Sequence, residues 1–483
     1  MFFNTIYFAA FFSVFFLFYW YAFPRNLKLQ NVLLLTGSYL FYGWWDWRFL
    51  PLLISYSLLY YFLGIAVHAS QNNNKRLCFL LVGVSVGLGG LVFFKFSLFI
   101  LQSIGVIFSH YGIFLNTVAS HFILPVGISF YTFRNLSYLI DIYMKKVKPT
   151  RNWVVFFTYV GFFPSLVAGP IDKSNSLIPQ IENKRVFDYV NATDAMRLIG
   201  WGFFKKFVIA DNCSPLTNDI FDNYQNLPPQ VLLLGAFLYT IQMYADFSGY
   251  SDIALGISRL LGFKITRNFD YPFFSSNIAE FWKKWHISLT SWLTEYIFTP
   301  LNIALRDMGK FGIILAILIN FMAVGSWHGA NWTFVLFGFF HGCLFIPLII
   351  KGTLNKKQKI SSEKLMPSIY EAANMLGTFL LVMFSFIIFR SASVSDAFHY
   401  FYIMLSPNIF SYSQAIASPR EVLTLTFILL MLYLEWVYRS NENCVSKIGM
   451  NWVKPIRWAC YYLCILIIFF CANLGQNFIY AQF

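Results

Sequence analysis

One of the seven histidines in this 483-residue chain stands where an ionisable group is expensive to place. Trp327-His328-Gly329-Ala330-Asn331-Trp332 separates the apolar runs 311–326 and 332–350, and His341-Gly342 follows. A neutral imidazole accepts a proton near physiological pH, so His328 at the floor of a cavity suits a general base acting on an alcohol. The flanking glycine lets the backbone break and a substrate come close. The competing reading is a histidine bonded to a neighbouring carbonyl at a helix junction. A second segment, 277–299, repeats Ile278, Phe281, Trp285, Leu289, Trp292 and Tyr296 at three- and four-residue spacing and carries His286. Asn277 with Glu280 reads as a capping box and Pro300 as the stop, so an amphipathic helix lying in a membrane interface is expected. A third, Gly161 to Ile171, places Pro164 and Gly169-Pro170 within an apolar run and predicts a kinked or re-entrant piece.

The elements that must position these residues are membrane helices. Of the chain, 58% is hydrophobic and only 12% charged, against about 25% charged in a soluble domain. A span needs about 20 apolar residues. Candidates are 5–23, 30–45, 49–67, 77–94, 96–116, 122–143, 152–170, 196–211, 229–246, 311–326, 332–350, 370–390, 422–438 and 456–476. The net charge of +14 gathers in short connections: Arg25 and Lys28, Lys75 and Arg76, Lys145 to Arg151, Lys351 to Lys359 with Lys356 and Lys357, and Arg439 to Arg457. That is the pattern of short cytoplasmic loops, not of a nucleic-acid surface. It places the N-terminus outside, with Phe2 to Phe23 as a retained span rather than a cleaved signal. The seven cysteines lack paired metal spacing and read as small buried hydrophobes, Cys460 and Cys464 included. Expected metals and bound cofactors are therefore none. No internal repeat of the kind that builds many carriers is evident.

Taken together, FFPSLVAGPI (162–171), NFDYPFFSSNIAEFWKKWHISLTSWLTEYIFTPL (268–301) and WHGANWTFVLFGFFHG (327–342) resemble the bacterial membrane-bound O-acyltransferases in order and spacing. The resemblance is to the alginate- and peptidoglycan-acetylating type, with teichoic acid D-alanyl transfer more distant. It implies that His328 is the catalytic histidine and that His286 is functionally important. It also implies an all-α polytopic fold: a ring of tilted transmembrane helices around a central funnel, with re-entrant and interfacial helices. Two departures stand out. Thr294-Glu295 replaces a common Arg-Asp, and Asn302-Ile303 replaces a common Gly pair, which puts in doubt contacts that relied on that arginine.

The organisation expected is 1–120 as N-terminal spans, 121–345 as the catalytic core and 346–483 as C-terminal spans. Trp327, Asn331, Trp285, Asp270 and Asp246 are the expected substrate-binding residues, with Asp252 another polar group of the cavity. The resemblance implies a multi-pass protein of the bacterial inner membrane among membrane lipids. It implies an acyl donor such as acetyl-CoA, an extracytoplasmic polysaccharide acceptor and a periplasmic hydrolase-fold (SGNH-type) partner. Other acceptors, in D-alanyl transfer to teichoic acid or acylation of a protein or lipid alcohol, stay open, as does a carrier or flippase of a lipid-linked saccharide.

Overall fold

The computed structural model describes residues 1–23, 26–110, 124–354, 366–410, 419–446, 448–449, 451–472 and 478. Arg25, Lys356, Lys357 and Lys359 lie outside the described residues, as do parts of the spans expected over 96–116, 122–143 and 456–476. Among the described residues the secondary structure is helical, without strands. Seven helical stretches among the described residues are long and apolar enough to cross a bilayer, so the chain is a multi-pass all-α membrane protein.

It forms two compact units, 1–192 with 257–266, and 193–256 with 267–483. In the first, α1 (Ile6–Leu17), α2 (Leu27–Asp46), α3 (Leu50–Ala69), α4 (Asn73–Leu91), α5 (Ser97–His110), α6 (Ile128–Tyr143) and α7 (Trp153–Gly161) precede a single turn, α8 (Phe163–Leu166), and α9 (Ser174–Glu182). The 152–170 stretch is thus not one span. Phe162 leaves helical geometry at ψ 102 and Pro164 starts a new turn. A helix that ends in the interior leaves carbonyls without partners. Arg134 of α6, fully buried, supplies them: its guanidinium donates to the carbonyls of Val160 at 3.2 Å, Ser165 at 3.0 Å and Pro170 at 3.2 Å, and to Ser165 Oγ.

The second unit is built from α10 (Tyr189–Phe203), which begins just before it, α11 (Asp211–Asp222), α12 (Pro229–Leu260), whose last four residues belong to the first unit, α13 (Ile278–Lys284), α14 (Ile287–Leu293) and α15 (Thr299–Ala304). It continues through α16 (Gly309–His328), α17 (Trp332–Ile350), α18 (Ile369–Arg390), α19 (Val394–Met404), α20 (Pro419–Val437) and α21 (Lys454–Cys471). The 277–299 segment is not the single interfacial helix expected. It breaks at Trp285-His286 because His286 adopts φ 45, ψ 52, the left-handed region, which a non-glycine residue enters at a cost. Its apolar face packs into protein, with Phe281, Trp285 and Leu289 buried. Asn277 does cap α13, accepting from Glu280 N at 2.9 Å. Pro300 does not end the segment: helical geometry runs on through a π-helical stretch, Thr294–Phe298, into α15, which contains Pro300. Cys213 and Cys444 are buried, whereas Cys78 and Cys464 are exposed on apolar helices, so burial does not describe all seven.

The α16–α17 hairpin carries the Trp327-His328 junction, and glycines set its closeness. A Cβ at Gly325 would meet the Phe334 carbonyl, and one at Gly338 the Phe321 carbonyl. Small residues that let backbones touch are how membrane helices gain packing energy. Gly338→Val is therefore expected to force the two helices apart, lowering the melting midpoint of the detergent-solubilised protein and its activity together. Unchanged melting would show that the crossing tolerates the bulk.

Candidate active site

α16 ends at His328 because Gly329 is extended, and α17 restarts under an Asn331 cap that accepts from Thr333 N at 3.1 Å. Asn331 Nδ2 donates to the Ala392 carbonyl at 3.0 Å, so both ends of its amide hold the junction in place. His328 is 2% exposed and His286 fully buried, their ring centroids 6.3 Å apart. Trp327 packs beside both, at 5.4 Å from His286 and 5.0 Å from His328. Phe247 of α12 meets the His286 ring edge-on at 4.6 Å, and Phe389 meets His328 at 5.3 Å. The structure therefore brings His328, His286 and Trp327 into one aromatic-walled cluster within the second unit.

The other expected residues play different parts. Trp285 is buried behind the turn, among Phe269 at 5.0 Å, Phe281 at 5.4 Å and Phe386 at 5.4 Å. Asp270 is part-exposed and paired with Arg267 at 2.9 Å. Asp246 is ion-paired with Lys206 at 2.7 Å, and Lys206 also holds Asp211 at 2.8 Å. Asp252 pairs with Lys205 at 2.7 Å. The Gly161–Ile171 segment belongs to the first unit.

His341 is buried one helical stretch from His328, and its bonding fixes its tautomer. Trp282 Nε1 can only donate, so at 3.1 Å it requires an unprotonated His341 Nδ1. His341 Nε2–H then donates to Ser385 Oγ at 3.0 Å, and Ser385 passes its own proton to the Val382 carbonyl at 2.6 Å. Every polar atom of the ring is committed, which makes His341 a tie between α13, α17 and α18. His341→Ala is expected to cost about 1–3 kcal/mol by stranding the buried Trp282 N–H. It should register in melting far more than in turnover per folded molecule; a turnover loss at unchanged melting would instead place His341 in the chemistry.

Burial pushes the His286 pKa down, to about 3, so this imidazole stays neutral over the physiological range. In the unfolded chain it titrates near 6.5. Its contribution to stability is thus complete above about pH 6.5 and is lost as pH falls towards 3, at about 1.4 kcal/mol per unit. At pH 5 that amounts to about 2 kcal/mol. Melting of the wild type between pH 7.5 and 5 should therefore fall more steeply than that of His286→Gln, and parallel curves would show that His286 already carries a proton in the folded state.

This all-helical membrane chain belongs to the membrane-bound O-acyltransferase family, whose sequence profile matches residues 150–387. The carrier reading gives way to an O-acyltransferase. The chain is 33% identical to the probable alginate O-acetylase of Pseudomonas putida, across 94% of this chain and 95% of that one. It is 28% identical to the peptidoglycan O-acetyltransferase of Helicobacter pylori, covering 100% and 97%, and 33% identical to the teichoic acid D-alanyltransferase of Streptococcus thermophilus, covering 55% and 68%.

Asn268 escaped the sequence reading. It is fully buried, and its backbone and side chain hold the turn that carries His286. Arg134 and the Lys205–Lys206 pair were likewise missed as organising groups, since their partners lie far along the chain.

Proposed function

We propose that this protein moves an acetyl group from a cytoplasmic thioester, acetyl-CoA, to an extracytoplasmic polysaccharide of the alginate or peptidoglycan kind, from the bacterial inner membrane. The observation that carries the reading is the His286–His328 pair, 6.3 Å apart between ring centroids and walled by aromatics, in a chain of this family. In the proposed step, His328 takes the proton of the acceptor hydroxyl as its oxygen attacks the thioester carbonyl. The tetrahedral intermediate collapses, the C–S bond breaks, and the proton is returned to the departing thiolate. His286, neutral and held by its turn, orients donor or acceptor. Trp327 shields the reacting atoms from water, which would otherwise compete for the acyl group. The names of the similar proteins in Pseudomonas putida and Helicobacter pylori support acetyl as the acyl group and polysaccharide as the acceptor. A periplasmic hydrolase-fold (SGNH-type) partner that receives or completes the transfer fits the same scheme, with no bound cofactor beyond the donor.

Sidedness tests the proposal. Sealed inverted vesicles given labelled acetyl-CoA outside should transfer label to envelope polysaccharide, while sealed right-side-out vesicles should not until permeabilised. Equal transfer from both orientations sinks the cytoplasmic-donor scheme, and label in a teichoic acid or protein fraction moves the acceptor.

A further inference from the structure

The His286 turn is held by a residue with no part in the reaction as proposed above. Asn268 lies on a stretch that runs alongside 284–288: Asp270 N donates to the Lys284 carbonyl at 3.0 Å, and Ile287 N donates to the Asn268 carbonyl at 2.9 Å. The Asn268 side chain then fills the gap between. Its Oδ1 accepts from Ser288 Oγ at 2.6 Å and from Ser288 N at 3.4 Å, and its Nδ2 donates to Ser251 Oγ of α12 at 3.2 Å. One turn back from Ser251 on the same helix, Phe247 packs on the His286 ring. His286 itself is left-handed, a conformation that a histidine keeps only when its surroundings over-determine it.

We propose that Asn268, with Ser251 and Ser288, is a positioning residue for acyl transfer: it locks the left-handed turn that aims the His286 imidazole at His328. The amide is suited to this because it accepts from the turn through one atom and donates to α12 through the other, tying the turn to the helix that walls it. Without it, residue 286 relaxes towards ordinary helical geometry and α13 and α14 can fuse, carrying the imidazole away. The inference rests on the reading that His286 serves the reaction.

The test uses membranes carrying the full chain and endogenous envelope polysaccharide, with labelled acetyl-CoA varied at matched protein. Asn268→Ala is expected to lower the maximal rate about 10- to 100-fold, the range in which small misplacements act, with KM for acetyl-CoA changed less than threefold. Asn268→Asp retains an acceptor for Ser288, and Ser251 can rotate its hydroxyl to donate, so it should recover to within about threefold of the wild-type rate. Adding Asn268→Ala to a His286→Gln chain should cost little more. Wild-type rate in Asn268→Ala, or a loss that Asn268→Asp fails to recover and that tracks a fall in melting midpoint, overturns the proposal. If His286→Gln transfers like wild type, the reading of His286 falls and this inference with it; if His286→Gln is impaired while Asn268→Ala is not, only this inference falls.

Discussion

Replacing His328 with glutamine should lower acetyl transfer from acetyl-CoA by about 10²- to 10⁴-fold, the share a positioned general base supplies. Glutamine is the informative substitution because the imidazole is packed against Trp327 and Phe389, and alanine would leave a cavity whose effect on stability would blur the result. The amide fills most of that volume and can hydrogen-bond the acceptor, but it cannot take its proton. A loss confined to the maximal rate, with KM for the donor nearly unchanged, is the pattern of an interaction made only in the transition state. His286→Gln should cost less, as expected of an orienting residue, and its melting should depend less steeply on pH than that of the wild type. Transfer by His328→Gln at more than a tenth of the wild-type rate, at matched protein, would remove His328 from the chemistry and turn attention to His286.

The extent to which the site was legible in the sequence follows the length scale of each interaction. The Trp327-His328-Gly329 junction is local: two apolar runs with a glycine between them force a break, and the structure puts it there. The helical, multi-pass character follows from composition over windows of about 20 residues. The 277–299 segment misled because its three- and four-residue spacing satisfies one continuous helix, and periodicity carries no sign of the left-handed residue at 286. What breaks the helix is Asn268, some twenty residues earlier, acting through hydrogen bonds that no local pattern encodes. Asp246 looked like a polar group lining a cavity because its partner Lys206 lies 40 residues away, inside a run read as an ordinary span. Asp270, by contrast, has its partner three residues away and could have been recognised as a surface pair. Asn331 was read as a substrate residue, yet asparagine ahead of a helical run is also the commonest kind of cap, and the structure uses it so.

The largest stability effect is expected at Lys206, and it bears directly on what Asp246 does. The 196–211 stretch winds into a π-helix at Phe204–Ala210, a local widening that often accompanies specialised sites in helices. Successive lysines there reach different carboxylates: Lys205 takes Asp252, and Lys206 sits between Asp211 and Asp246 at 2.8 and 2.7 Å. All three side chains of the Lys206 group are at most 3% exposed. Lys206→Met takes from two buried carboxylates the cation they share, so it should cost about 3–5 kcal/mol. That corresponds to a melting midpoint lower by about 10 °C on the scale of a few degrees per kcal/mol. Asp246→Asn should be milder, because Lys206 keeps Asp211 and the amide oxygen still accepts its proton. Both losses should appear as stability, with KM for acetyl-CoA held, since the pair is locked within the helices. The opposite pattern, normal melting of Asp246→Asn with a raised KM, would restore Asp246 to the substrate. The pairing geometry predicts the first because Asp246 is buried and held by Lys206 at 2.7 Å, a contact that a ligand would have to displace.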